Sequence, residues 1–379
     1  MPDMVFGARG RSARTSRRRF LQFSAAAVST VALSNCARNL GEAPAEQPSQ
    51  SANILDDSVL HIYTWADYSN TDLYQRFTEK TGIQVVSDVY DSNETMLAKL
   101  QAGGGNQYSI IYPSDYMVRQ MIDAQLLLKL DRSKLVGLDN LMDRWQNPPY
   151  DPNSAHSLPF NWGTTGLIYN TEVLKTTPED WDFLWENQPE LAGKMTLLDD
   201  VRETLGMVLK SLGYSYNATD PTQIEAAAQQ LLTLKPALSG FQTYGWEDQL
   251  IAGDLSICMT YSTLGNLLPL DNPQLVYVIP QSGTSIWTDT MAVPAKAPNV
   301  AAAYAWMNFI LDPDNSAFAA TQLKLGTPNQ AAFGKLPTEI QAKKTLYPTA
   351  AMIAKGEGIT PVGEAQTLYD TLWTEIKSA

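Results

Sequence analysis

VLHIYTWADYSNTDLYQRFTEKTGIQVVSDVYDSNETMLAKLQAGGGNQYSIIY, residues 59–112, decides the fold class. Its opening, Val59-Leu-His-Ile-Tyr-Thr64, is apolar, aromatic and branched, and predicts a strand. Beyond Trp65-Ala-Asp-Tyr68, Leu73, Tyr74 and Phe77 recur at helical spacing, and Gly82 stops that helix. Ile83-Gln-Val-Val-Ser-Asp-Val-Tyr90 is the second strand. Asp91-Ser-Asn-Glu94 resembles a capping box and starts a helix with Met96, Leu97 and Leu100 on one face. Gly103-Gly-Gly105 ends it, and Tyr108-Ser-Ile-Ile-Tyr112 is the third strand. The glycine triplet follows a helix and lacks a lysine, so it is a helix stop and not a phosphate loop. The order β-α-β-α-β predicts a mostly parallel sheet with helices on its faces.

A second unit of similar construction begins near Lys194. Lys194-Met-Thr-Leu-Leu198 predicts a strand, and residues 200–212 an apolar-striped helix stopped by Gly213. Residues 255–260, 276–279 and 291–294 are further strand candidates; 300–311 is a helix ended by Asp312-Pro313. The 323 residues from Asp57 onward exceed one ordinary core and predict two domains.

The full chain has 379 residues, with 40 Asp and Glu against 27 Lys and Arg. Residues 1–35 hold six Arg and one acid, so removing them takes the net charge from −13 to −18. So acidic a body excludes nucleic acid and anionic lipid as partners and favours a cation. Ser16-Arg17-Arg18-Arg19-Phe20-Leu21-Gln22 opens a short apolar run that ends at Leu33-Ser34-Asn35-Cys36. A basic start, a short apolar stretch and a small-residue boundary predict a signal peptide over 1–35, and the twin arginines resemble the Tat type. Leu-Ser-Asn-Cys36 resembles a lipoprotein box in which Asn35 departs from the pattern, which leaves Cys36 as a candidate lipid anchor. Residues 36–56 read as a flexible tether. Cys258 stands in an apolar run and is expected to be a buried core residue.

In open parallel sheets, ligands sit beyond the carboxyl ends of the strands. There the sequence places Trp65, Asp67 and Tyr68; Ser114, Asp115 and Tyr116; Asp199, Asp200 and Glu203; and Tyr261. Trp287 and Asp289 come just before the strand expected at Met291. Rings and carboxylates recur, with no Lys, Arg or His among them. Ring faces attract ammonium groups by about 0.5–2 kcal/mol each, and carboxylates add charge-assisted hydrogen bonds of roughly 1.5–3 kcal/mol. Each residue also has a bland role: Asp200-Val-Arg-Glu203 is a helix start, and the tryptophans suit a core.

Several motifs in order resemble the periplasmic polyamine-binding proteins, the spermidine/putrescine receptors of ABC importers. They include Ile62-Tyr-Thr-Trp-Ala-Asp-Tyr68, Asp91-Ser-Asn-Glu-Thr-Met96, Tyr112-Pro-Ser-Asp-Tyr116 and Leu158-Pro-Phe-Asn-Trp-Gly163. Leu197-Leu-Asp-Asp-Val-Arg-Glu203, Trp287-Thr-Asp-Thr-Met-Ala-Val-Pro294 and Thr327-Pro-Asn329 continue the series. The resemblance implies an α/β, two-lobed periplasmic-binding-protein fold of type II, with the ligand cleft between lobes. Lobe 1 is expected over 57–165 and 288–333, and lobe 2 over 166–287 and 334–379. It also implies an aromatic box of Trp65, Tyr68, Tyr116, Tyr261 and Trp287, amine-binding carboxylates Asp200, Glu203 and Asp289, a further acid at Asp67, and a polar contact at Ser114. Three positions depart: Tyr261 replaces a frequent Trp, and Leu325 and Ile359 stand where the family has Tyr and Gln. The Asp200/Glu203 and Trp287-x-Asp289 pairs resemble the spermidine-preferring branch more than the putrescine one.

The expected protein is thus a periplasmic, monomeric receptor for a protonated polyamine, delivering to an inner-membrane ABC permease without chemistry and without a cofactor or metal. Another small organic amine is the alternative ligand. An exported hydrolase of cationic substrates is the rival class, against which stand only two His and no Ser-His-Asp, HExxH or Cys-His pattern.

Overall fold

Ile62 and Tyr63 pair with Ile110 and Ile111 on one side, and with Ser87 and Asp88 on the other. Both ladders are parallel, as β-α-β-α-β requires. The computed structural model describes residues 58–379; the signal segment, the tether and Cys36 lie outside them. The strands are β1 Val59–Trp65, β2 Gln84–Tyr90 and β3 Ile110–Ile111, then β4 Ser157–Asn170, β5 Met195–Leu197 and β6 Leu238–Phe241. β7 Ile257–Tyr261, β8 Leu275–Val278 and β9 Ile286–Ala292 complete the set. Their order is β2-β1-β3-β9-β4-β7-β5-β6, with β8 beside β4. β5 pairs in parallel with β6 and β7, whereas β4 and β9 bring antiparallel ladders, so the sheet is mixed.

Several helices start where a side chain satisfies their free backbone N–H groups. Asn70 caps Thr71–Thr81 by accepting from Leu73 N at 2.9 Å, and Gly82 ends it at φ 77°. Leu73 and Phe77 are its buried face. The helix Asn93–Gln101 is capped by Ser92, which accepts from Thr95 N, and not by the expected Asp91. Val201–Ser211 is capped by Asp200, whose Oδ1 accepts from Arg202 N and Glu203 N at 2.9 Å each. Val300–Leu311 matches its expected limits.

β4 is the longer of two strands the sequence pattern misses, the other being β6. All fourteen of its residues are buried, including Asn161, Thr164 and Thr165. A strand covered on both faces has no polar/apolar alternation to betray it. Its first half pairs with β9, from Ser157↔Ala292 to Thr164↔Ile286, and its second half with β7 and β8. β4 therefore runs from one group of strands into the other. The buried clusters divide along it: Leu60, Phe77, Trp287 and Trp306 belong to one, and Leu167, Trp181, Leu205 and Ile376 to the other. Cys258 is buried and free, as expected. Among the described residues no helix is long and apolar enough to cross a membrane.

Candidate functional site

A cleft of about 640 Å³ opens at the ends of β1, β3, β5 and β7. Trp65, Tyr68, Ser114, Tyr116, Asp200, Glu203, Tyr261, Trp287 and Asp289 all line it. These nine come from separate parts of the chain, and the fold brings them together. The side chain of Asp67 is outside the described ones. Trp287 and Asp289 depart from expectation in one respect: they lie inside β9, which begins at Ile286, and not ahead of it. The strand starts early because Ile286, Trp287, Thr288 and Asp289 pair with β4, a partner the sequence pattern did not reveal.

At one end, Asp289 is 6% exposed. Ser114 donates to its Oδ1 at 2.6 Å, and Tyr68 donates to its Oδ2. Burial pushes its pKa up to about 6, with the Ser114 and Tyr68 hydrogen bonds opposing. Asn93 fixes this corner by donating to Ser114 Oγ at 3.0 Å and to the Tyr116 hydroxyl at 3.1 Å. Nearby, Asp115 is buried and accepts from Tyr116 N and Thr288 N; burial lifts its pKa to about 8.

At the other end, Glu203 is 3% exposed. Burial, reinforced by the neighbouring Asp200 charge, raises its pKa to about 8. Asp200 is half-buried, and burial raises its pKa against the two backbone N–H groups that favour the ionised form. Tyr261 and Trp287 meet edge to face with ring centres 6.0 Å apart. Trp65 anchors its ring by donating Nε1–H to Tyr112 O at 3.0 Å. Gly163 is required here, because a Cβ would overlap Ser262 Oγ and the Trp287 ring.

Besides the rings and carboxylates of the strand ends, two bases, Arg119 and Arg202, line the cleft. Both are already engaged. Arg119 pairs with Asp123 at 3.1 Å, while Arg202 donates to Thr360 O and Asn217 Oδ1 and lies over the Tyr369 ring at 5.0 Å. Among the described residues, Asp115, Asp200, Glu203 and Asp289 have no ion-pair partner. The sequence pattern also missed Glu94, which accepts from the Tyr116 hydroxyl at 3.0 Å, and Asp370, both of which line the cleft. Glu94 sits in the first turn of a capped helix, where an acid looks like ordinary N-terminal decoration. Ile359 lines the cleft, whereas Leu325 is 3% exposed in the same core cluster as Trp287 and is not part of the lining. Among the described residues, no group of three His, Cys, Asp or Glu is arranged to hold a metal.

Residues 72–348 match the bacterial extracellular solute-binding proteins. The chain belongs to that family. This solute-binding protein is 35% identical over 329 residues to the spermidine/putrescine-binding periplasmic protein of Salmonella typhimurium, covering 86% of this chain and 94% of the relative. It is 31% identical over 349 residues to the putrescine-binding periplasmic protein SpuD of Pseudomonas aeruginosa, with 86% and 94% covered. The solved spermidine/putrescine ABC transporter substrate-binding protein PotD of Streptococcus pneumoniae superposes with a TM-score of 0.76 at 36% identity, covering 84% of this chain and 98% of that one. The solute-binding protein therefore has the two-lobed α/β fold with its cleft between lobes, and it is a periplasmic binding protein and not an enzyme.

Proposed function

We propose that this solute-binding protein captures a protonated polyamine, spermidine in preference to putrescine, and hands it to an inner-membrane ABC permease. The supporting observation is the set of desolvated carboxylates without cationic partners. Glu203 and Asp289 are buried, their pKa values are raised, and no Lys or Arg of the described residues pairs with them. A buried charge is tolerated only when paired, so a cleft built this way is completed by a ligand that carries the cations. In the proposed complex one terminal ammonium meets Asp289 and another meets Glu203 and Asp200. The methylene segments lie among Trp65, Tyr68, Tyr116, Tyr261 and Trp287. The names of the relatives agree with a polyamine, and several separate acids suit a triamine better than a diamine.

Binding would favour the closed arrangement of the lobes through contacts made only there. We assign lobe 1 to 57–165 with 288–333 and lobe 2 to 166–287 with 334–379. The buried clusters divide across β4 in the same way except at Trp287, which packs in the cluster of Leu60 and Phe77. We further propose a monomer, exported by the Tat-type segment over 1–35 and tethered through 36–56, with Cys36 as a candidate lipid attachment.

Titration calorimetry with spermidine, putrescine and cadaverine tests the reading. Spermidine is expected to bind most tightly, and to be recovered chemically unchanged. Absence of heat with all three, or tighter binding of putrescine, would refute the ligand or its ranking respectively.

A further inference from the structure

One hydroxyl holds both oxygens of Glu203. Ser285 Oγ lies 2.9 Å from Glu203 Oε1, 2.8 Å from Oε2 and 2.9 Å from Thr165 Oγ1. Ser285 and Thr165 are fully buried, so water does not compete for these bonds. A hydroxyl has one proton to give and lone pairs to accept with, which makes the chain of three groups directional. When Glu203 is ionised, the Ser285 proton is shared between its two oxygens, and the Thr165 hydroxyl also favours the ionised form. When Glu203 is protonated, its proton goes to Ser285 Oγ, and Ser285 donates to Thr165 Oγ1.

The three side chains come from three elements. Glu203 belongs to the Val201–Ser211 helix, Thr165 to β4, and Ser285 immediately precedes β9. Thr164 pairs with Ile286 of β9 while Thr165 pairs with Tyr261 of β7, so the relay sits where β4 leaves one group of strands for the other.

Resting on the polyamine reading, we propose that Ser285, backed by Thr165, is a positioning residue: it orients Glu203 toward the ligand ammonium and keeps that carboxylate ionisable at the crossover between lobes. The charged and titratable groups around Glu203 are Asp200 and Arg202 beside it on its own helix, Asp115 across the cleft, and the hydroxyls of Tyr216, Tyr261 and Tyr277. Asp200 and Asp115 oppose its ionisation, and burial opposes it more; the Ser285 and Thr165 hydroxyls favour it. Removing the hydroxyl therefore leaves the opposing influences in place.

Ser285→Ala and Thr165→Val test the role through two measurements. Carboxyl ¹³C NMR of the ligand-free protein reads the Glu203 titration, and calorimetry reads spermidine binding from about pH 6 to about pH 9. For Ser285→Ala the Glu203 midpoint is expected to rise by about one pH unit, the size of one hydrogen bond to a charged group. Spermidine binding near pH 7 should weaken about tenfold and approach the wild-type value by pH 9, because the deficit is one of ionisation. Thr165→Val should move both readouts the same way by less, and it carries the test if Ser285→Ala does not fold. An unmoved Glu203 midpoint, with binding weakened equally at every pH, would overturn the proposal. The midpoint is read without ligand, so it tests Ser285 independently; absence of spermidine binding by the wild-type protein would instead refute the polyamine reading.

Discussion

Replacing Glu203 by Gln should make the ligand-free protein more stable and its ligand binding weaker. The folded protein holds the Glu203 proton up to about pH 8, whereas an ordinary glutamic acid releases it near 4.5. A carboxyl whose pKa is raised by folding contributes stability that is complete at low pH. That contribution is lost progressively as pH rises from the unfolded value to the folded one, because the unfolded chain gains by ionising and the folded chain does not. At pH 7 the gap between 4.5 and 7 corresponds to about 3 kcal/mol at 1.36 kcal/mol per unit. Gln keeps the shape, does not ionise, and accepts a hydrogen bond from Ser285 as Glu203 does. After allowance for an amide that fits less well, the gain should be about 1–3 kcal/mol, or roughly 2–6 °C in Tm for a chain of this size. Scanning calorimetry of the ligand-free protein at pH 5 and pH 8 reads it. Wild type should lose stability between those pH values, and Glu203→Gln should lose less and melt higher at pH 8. With saturating spermidine the order should reverse, because ligand stabilises only the form it binds. A ligand-free Glu203→Gln that melts lower than wild type at pH 8, with the wild-type pH dependence intact, would refute the desolvation argument.

Asp289→Asn keeps the Ser114 and Tyr68 partners but removes the charge; spermidine affinity by calorimetry should fall about tenfold or more, the worth of a charged hydrogen bond. Wild-type affinity should rise from pH 5 to pH 8 as Asp289 and Glu203, with pKa values of about 6 and 8, ionise. At pH 7 binding should release protons, seen as heats that depend on the buffer, and Glu203→Gln should release fewer. Gly163→Ala should displace Trp287 and destabilise the fold by about 1–3 kcal/mol, the usual result of overpacking, with binding and Trp fluorescence response both reduced.

Much of the fold is legible locally. The residues of β1 and β2 and their flanking helices announce themselves through periodicity, and Gly82 and Asp200 mark element ends as their chemistry demands. β4 is not legible, because burial on both faces erases alternation and Pro159, Gly163 and Asn161 resemble a loop. β6, with one exposed and three half-buried residues over Leu238–Phe241, also carries too little pattern to find. Within the cleft, residue type alone singles out Trp287 and Asp289, whereas periodicity puts them ahead of β9 and the structure puts them inside it. Ser285 had no signal at all: a serine among polar neighbours becomes meaningful only when a carboxylate 82 positions away is set against it.

The sequence by itself determined that a β-α-β-α-β unit forms and that rings and carboxylates gather at strand ends, since hydrophobic period and residue type are properties of neighbours along the chain. Tertiary structure decided which acids matter. Asp199 and Glu203 stand four residues apart, yet Asp199 is exposed and paired with Lys377 at 2.6 Å, while Glu203 is buried against Ser285 with its charge opposed. The electrostatic free energy of a carboxylate depends on the water, charges and donors around it, and the fold brings those from distant parts of the chain.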